Sequence, residues 1–89
     1  MKTYHYIIKG RVQGVAFRYY TVKNAYKNRI CGTVQNLYTG DVEVYAQGEE
    51  ENLARFESFL HSGPPAGRVD HVIREEVHSN SFYTGFEII

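Results

Sequence analysis

Two stretches of this 89-residue chain carry side chains whose types and spacing could do chemistry. The first is Gly10-Arg11-Val12-Gln13-Gly14-Val15-Ala16-Phe17-Arg18. Its two glycines let the backbone turn so that successive N–H groups converge, and such a nest ahead of a helix N-terminus holds an anion. Arg18 falls at about the first helical turn and can fork onto the same anion through its planar guanidinium. The same residues also make a tight strand-to-helix turn beside an exposed arginine, and this segment alone leaves both readings open. The second stretch, Gly32 to Glu43, sets a side-chain amide, Asn36, near the end of a strand.

Other chemistries fit the sequence poorly. His5, His61, His71 and His78 have no paired metal-ligand spacing and no Cys-x-x-Cys near them, so neither a metal nor any other cofactor is expected. A cysteine phosphatase would need an arginine six residues after Cys31, where Leu37 stands; Cys31 reads as a small residue at a strand start. The nearest thing to an Asp-x-Asp pair is Asp41-Val42-Glu43. The glycines of the first stretch match neither the P-loop nor the dinucleotide fingerprint. Eight tyrosines invite an RNA-binding sheet face, but no strand carries the basic residue, glycine and alternating aromatics that such a face uses.

The elements that must position these groups follow from periodicity. Thr3 to Lys9 is rich in β-formers and reads as a strand, which Gly10 to Gly14 should stop. Phe17 to about Asn28 can be helical, with Phe17, Thr21, Val22 and Ala25 on one face. Ile30 to Leu37 reads as a second strand, Tyr38-Thr39-Gly40 as a hairpin turn, and Asp41 to Gln47 as a third strand with Val42, Val44 and Ala46 on one face. Glu49 to Ser62 is a helix: glutamates fill its first turn, Leu53, Phe56 and Leu60 keep helical spacing, and Gly63-Pro64-Pro65 ends it. Val69 to Val77 reads as a fourth strand, and Phe82, Thr84, Phe86 and Ile88 alternate along a short last one. The order predicts an α+β fold, a ferredoxin-like βαββαβ sandwich: an antiparallel sheet, two helices on one face and an extra C-terminal strand.

At 10.3 kDa the chain has room for one core, so residues 1–89 are expected to form a single domain. No apolar run approaches membrane-spanning length, the start Met1-Lys2-Thr3-Tyr4-His5 lacks a signal core, and one cysteine suits a reducing cytosol. A cytoplasmic monomer without membrane or nucleic-acid partners is the expectation. The formal net charge is zero, yet every charged side chain from Met1 to Asn36 is positive: Lys2, Lys9, Arg11, Arg18, Lys23, Lys27 and Arg29. All ten acids come later, against Arg55, Arg68 and Arg74. An anion site in the first part is consistent with that asymmetry, as is a mixed surface once the two parts interleave.

Taken together, the two stretches resemble the acylphosphatase family. Residues 10–18 match its signature Gly-x-Val-Gln-Gly-Val-x-Phe-Arg throughout, and Gly32-Thr33-Val34-Gln35-Asn36 followed by Gly40-Asp41-Val42-Glu43 matches a second. The likeness continues through Gln47-Gly48, Gly63-Pro64-Pro65, Val69-Asp70 and Phe86-Glu87-Ile88. Thr33 stands where many members have tryptophan, Thr39 where aspartate is usual, and Leu37 where some relatives carry a hydroxyl. The resemblance implies hydrolysis of small acyl phosphates to carboxylate and inorganic phosphate. It implies a phosphate-binding loop of Val12, Gln13, Gly14, Val15, Ala16, Phe17 and Arg18, with Arg18 and Asn36 as the two catalytic side chains and Asn36 on the attacking water. Inorganic phosphate and sulfate should then compete for the loop. The alternative is a non-catalytic ferredoxin-like module binding an anion or RNA.

Overall fold

The computed structural model describes residues 1–78 and 81–89. Along the chain, β1 (Lys2–Arg11), α1 (Phe17–Lys27), β2 (Cys31–Asn36), β3 (Val42–Gly48), α2 (Glu50–Ser62), β4 (Arg68–Glu76) and β5 (Phe86–Ile88) follow one another. The five strands form one sheet in the order β4-β1-β3-β2-β5. The first four pair antiparallel, as the pattern predicts, whereas β5 runs parallel to β2, with Gly32 opposite Phe86 and Val34 opposite Ile88. This is the ferredoxin-like α+β arrangement with a mixed sheet.

Alternation builds the core. Tyr6 and Ile8 of β1, Val34 of β2, and Val42, Val44 and Ala46 of β3 are completely buried beneath the helices. From α1 they meet Phe17, Thr21 and Ala25, and from α2 Leu53, Phe56 and Leu60. Val22, expected on the buried face of α1, only borders this cluster. The helices meet where Phe17 packs on Phe59, ring centroids 5.6 Å apart, and α2 reaches the last strand through Phe56 and Phe86 at 5.7 Å.

Two expectations are corrected. β1 runs two residues past Lys9 and ends at Arg11, inside the Gly10–Gly14 stretch, after a register shift at Lys9/Gly10. A side chain at 10 would collide with the Arg68 carbonyl, so glycine lets β1 keep its pairing with β4 through the irregularity. The last strand starts at Phe86 rather than Phe82. Ahead of it, the Tyr83 amide donates to Gln47 Oε1 at 3.2 Å and Gln47 Nε2 donates to the Ser81 carbonyl at 2.9 Å, so a side chain occupies groups that a ladder would use.

Candidate active site

The loop from Val12 to Ala16 is anchored from below. Val12, Val15 and Phe17 send their side chains into the core, at 1 %, 7 % and 1 % exposure. Between them, Gly14 and Ala16 take left-handed conformations, with φ of 75° and 64°. Alternating backbone hand of this kind turns neighbouring N–H groups the same way. The amides from Gly14 to Arg18 donate to no acceptor among the described residues. Ala16 is the N-cap of α1 and supplies no side-chain cap, so the first-turn donors are left for something else. At Gly14 a Cβ would meet nothing within 4 Å; the constraint there is backbone conformation and not space.

Arg18 is half-buried in the first turn of α1 and forms no ion pair among the described residues. Asn36, the last residue of β2, lies on the helix-covered side of the sheet, opposite Val42. Its Oδ1 is sealed from solvent without a hydrogen-bond partner among the described residues. An orphaned buried carbonyl oxygen destabilises a fold by about 1–3 kcal/mol, and such an atom calls for a functional reason. No hydrogen bond of the Asn36 side chain among the described residues opposes a half-turn of its amide.

Arg18 and Asn36, eighteen positions apart in sequence, line one cleft of about 180 Å³ together with Val12, Gly14, Ala16, Phe17, Tyr19 and Ile88. Gln13 and Val15 do not border it. Gln13 instead ties the loop to the β2–β3 hairpin: Nε2 donates to the carbonyls of Leu37 at 2.8 Å and Asp41 at 2.9 Å. Lys9 and Thr39 bind the Asp41 carboxylate at 2.8 and 2.9 Å, and these bonds, the lysine's foremost, hold it below the ordinary carboxylate range. Thr39 thus finds a role in the turn. Leu37 takes part through its carbonyl, and Thr33 sits across from Tyr45 on the far face of the sheet.

Tyr19 and Ile88 were not legible as cleft residues. Tyr19 follows Arg18 but carries no motif, and Ile88 arrives only through the parallel pairing of β5 beside β2. Elsewhere, a hollow of about 230 Å³ bordered by Tyr4, Glu50, Leu53, Ala54, Glu57 and Arg74 has two carboxylates, and its one arginine is already bound to Glu57 at 3.0 Å. It does not suit an anion. The far face of the sheet carries the His5–Glu43 contact at 2.8 Å and the Lys9–Asp41 pair, so His5 and Lys9 each already face an acid. Among the described residues no three His, Cys, Asp or Glu side chains stand close enough to hold a metal ion, and no helix is long and apolar enough to cross a membrane.

A family model described as acylphosphatase matches residues 4–88. An acylphosphatase of Vibrio vulnificus is 44 % identical over 84 residues, covering 94 % of this chain and 92 % of that one. One from Bacillus velezensis is 41 % identical over 88 residues, covering 99 % and 98 %. The crystal structure of acylphosphatase from Bacillus subtilis superposes with a TM-score of 0.96 at 36 % identity, covering 100 % of this chain and 99 % of that one.

Proposed function

This chain belongs to the acylphosphatase family, hydrolases of acyl phosphates, and we propose that Arg18 with the backbone of the 12–18 loop holds the transferred phosphoryl group while Asn36 orients the attacking water. The observation that carries this division of labour is one cleft with Arg18 and a backbone nest on one side and Asn36 on the other, Arg18 without an ion pair and Asn36 Oδ1 without a hydrogen bond among the described residues.

The reaction needs little more. Water oxygen bonds to phosphorus, the bond from phosphorus to the acyl oxygen breaks, and the carboxylate leaves with the electron pair. A carboxylate is a weak base, so its departure needs no general acid. Phosphoryl transfer through a loose transition state asks chiefly for positioning and for charge stabilisation on the equatorial oxygens. The nest and Arg18 supply the second, each preorganised donor contributing about 3–4 kcal/mol. Asn36 Oδ1, turned to the cleft, accepts a hydrogen bond from the water and holds it in line. Among the described residues no carboxylate or histidine borders the cleft to act as base, and the water's proton passes to a phosphate oxygen of the substrate.

On this reading the protein works as a cytoplasmic monomer without a metal, and inorganic phosphate and sulfate compete with substrate. The test is phosphate release from benzoyl phosphate in the presence of EDTA, with phosphate and sulfate titrated as inhibitors. Turnover that survives chelation and yields competitively to both anions is expected. A folded protein that releases no phosphate refutes the reading.

A further inference from the structure

The cleft has two chemically different parts. Arg18 is the one charged side chain among its lining residues, and Gly14, Ala16 and Asn36 complete the polar end. The rest is carbon: Val12, Phe17, Tyr19 and Ile88. Val12 and Phe17 belong to the core, but Tyr19 and Ile88 remain 58 % and 49 % exposed. Both are held in place. Tyr19 meets Tyr20 edge-on at 5.3 Å, and Lys23 Nζ lies 6.0 Å from its ring centroid. Ile88 is fixed by pairing with Val34, and the next amide, of Ile89, donates to the Val34 carbonyl at 3.0 Å. Two apolar surfaces thus stand exposed beside the phosphoryl end.

Resting on the phosphoryl placement proposed above, we infer that the acyl end of the substrate lies against Tyr19 and Ile88, and that the enzyme favours acyl phosphates with uncharged, apolar acyl groups. The charge of Arg18 is used on the phosphoryl group, and no second cation borders the cleft among the described residues to receive a carboxylate tail. Each methylene laid on an apolar wall improves kcat/KM by about two- to fourfold, toward the lower figure in a half-open cleft.

Straight-chain acyl phosphates test this cleanly, because their leaving groups differ little in basicity. The measurement is kcat/KM for acetyl, butyryl and hexanoyl phosphate and for succinyl monophosphate, in the wild-type protein, Tyr19→Ser and Ile88→Ser. The expected result is a rise of about 16-fold from acetyl to hexanoyl, four methylenes at the lower figure, carried mainly by KM. Succinyl monophosphate should fall below butyryl phosphate, and the hexanoyl-to-acetyl ratio should drop in both variants. A flat series with measurable acetyl phosphate turnover overturns the preference and leaves the hydrolase reading standing. So does a preference for the succinyl compound, which would assign the distal contact to Lys23. An unchanged ratio in both variants overturns the assignment to these walls. Absence of turnover with every compound overturns the hydrolase reading and the preference with it.

Discussion

Gln13, in the loop after β1, donates its side-chain amide to the backbone carbonyl of Leu37 at 2.8 Å, the residue directly after Asn36. The second bond, to Asp41 at 2.9 Å, makes the same nitrogen a clamp across the mouth of the hairpin, where Leu37 N–H also donates to the Asp41 carbonyl at 2.9 Å. Gln13 therefore ties the loop that carries the amide nest to the strand end that carries Asn36. Gln13 does not line the cleft, so it is a positioning residue.

Gln13→Ala should release that clamp. The expected loss is about 10- to 100-fold in kcat, because a small displacement of a water-orienting group suffices for that. KM and the phosphate inhibition constant should change far less, since Arg18 and the nest remain. Steady-state kinetics with a phosphate titration checks it; a merely structural role would lower the melting temperature and leave kcat per folded molecule intact.

How much of this was legible in the sequence depends on distance along the chain. The alternating Val42, Val44 and Ala46 and the helical Leu53, Phe56 and Leu60 each report burial within one element, and all are buried. The loop Val12–Arg18 is likewise local, and its glycine pattern announces a turn. The clamp from Gln13 spans 24 and 28 positions, which no local pattern encodes. The last strand is harder still. It has three residues, too few for alternation to assign a partner, and it is aligned by Gln47 holding Ser81 and Tyr83 and by Phe86 against Phe56. Ile88 therefore reaches the cleft through contacts made by other elements.

Arg18 should be separable from the fold. It is half-buried without an ion pair among the described residues, so Arg18→Ala should change stability by no more than about 0.5 kcal/mol. Turnover should fall by about 10²–10³-fold with weaker phosphate inhibition, and Arg18→Lys should recover only part of it, because an ammonium lacks the planar fork. Thermal melts alongside kinetics decide; near wild-type kcat/KM in either variant contradicts the assignment.

Acid should act on the hairpin before it acts on the chemistry. Lys9 and Thr39 lower the Asp41 carboxyl from its ordinary value of 3.8, so the folded state favours the ionised form. That contribution is fully present above the unfolded value and is lost as pH falls through the lowered folded one. Asp41→Asn should therefore be less stable than wild type at neutral pH, with the gap closing as pH drops below the ordinary carboxylate range. The rate should stay flat between about pH 5 and 8, because no histidine borders the cleft among the described residues. A histidine-like limb in kcat, abolished by replacing one histidine, would show that a base operates after all.

Asn36 offers the sharpest separation of stability from activity. If it were a strand-end residue closing the hairpin, Asn36→Ala would weaken the fold and spare the chemistry. But its Oδ1 is buried without a partner among the described residues, so the native side chain stabilises nothing through that atom. Removing the amide costs the fold no hydrogen bond among the described residues and leaves a small void, so stability should change little. The melting temperature should stay within about 5 °C of wild type. Meanwhile kcat should fall by about a hundredfold or more, as the water loses its hydrogen-bonded position, while inorganic phosphate inhibits with near-normal affinity. Thermal unfolding, kcat and the phosphate inhibition constant on one protein preparation test all three. A folded Asn36→Ala protein that keeps wild-type kcat would remove Asn36 from the mechanism, whereas a variant that melts early with kcat intact would return it to the hairpin.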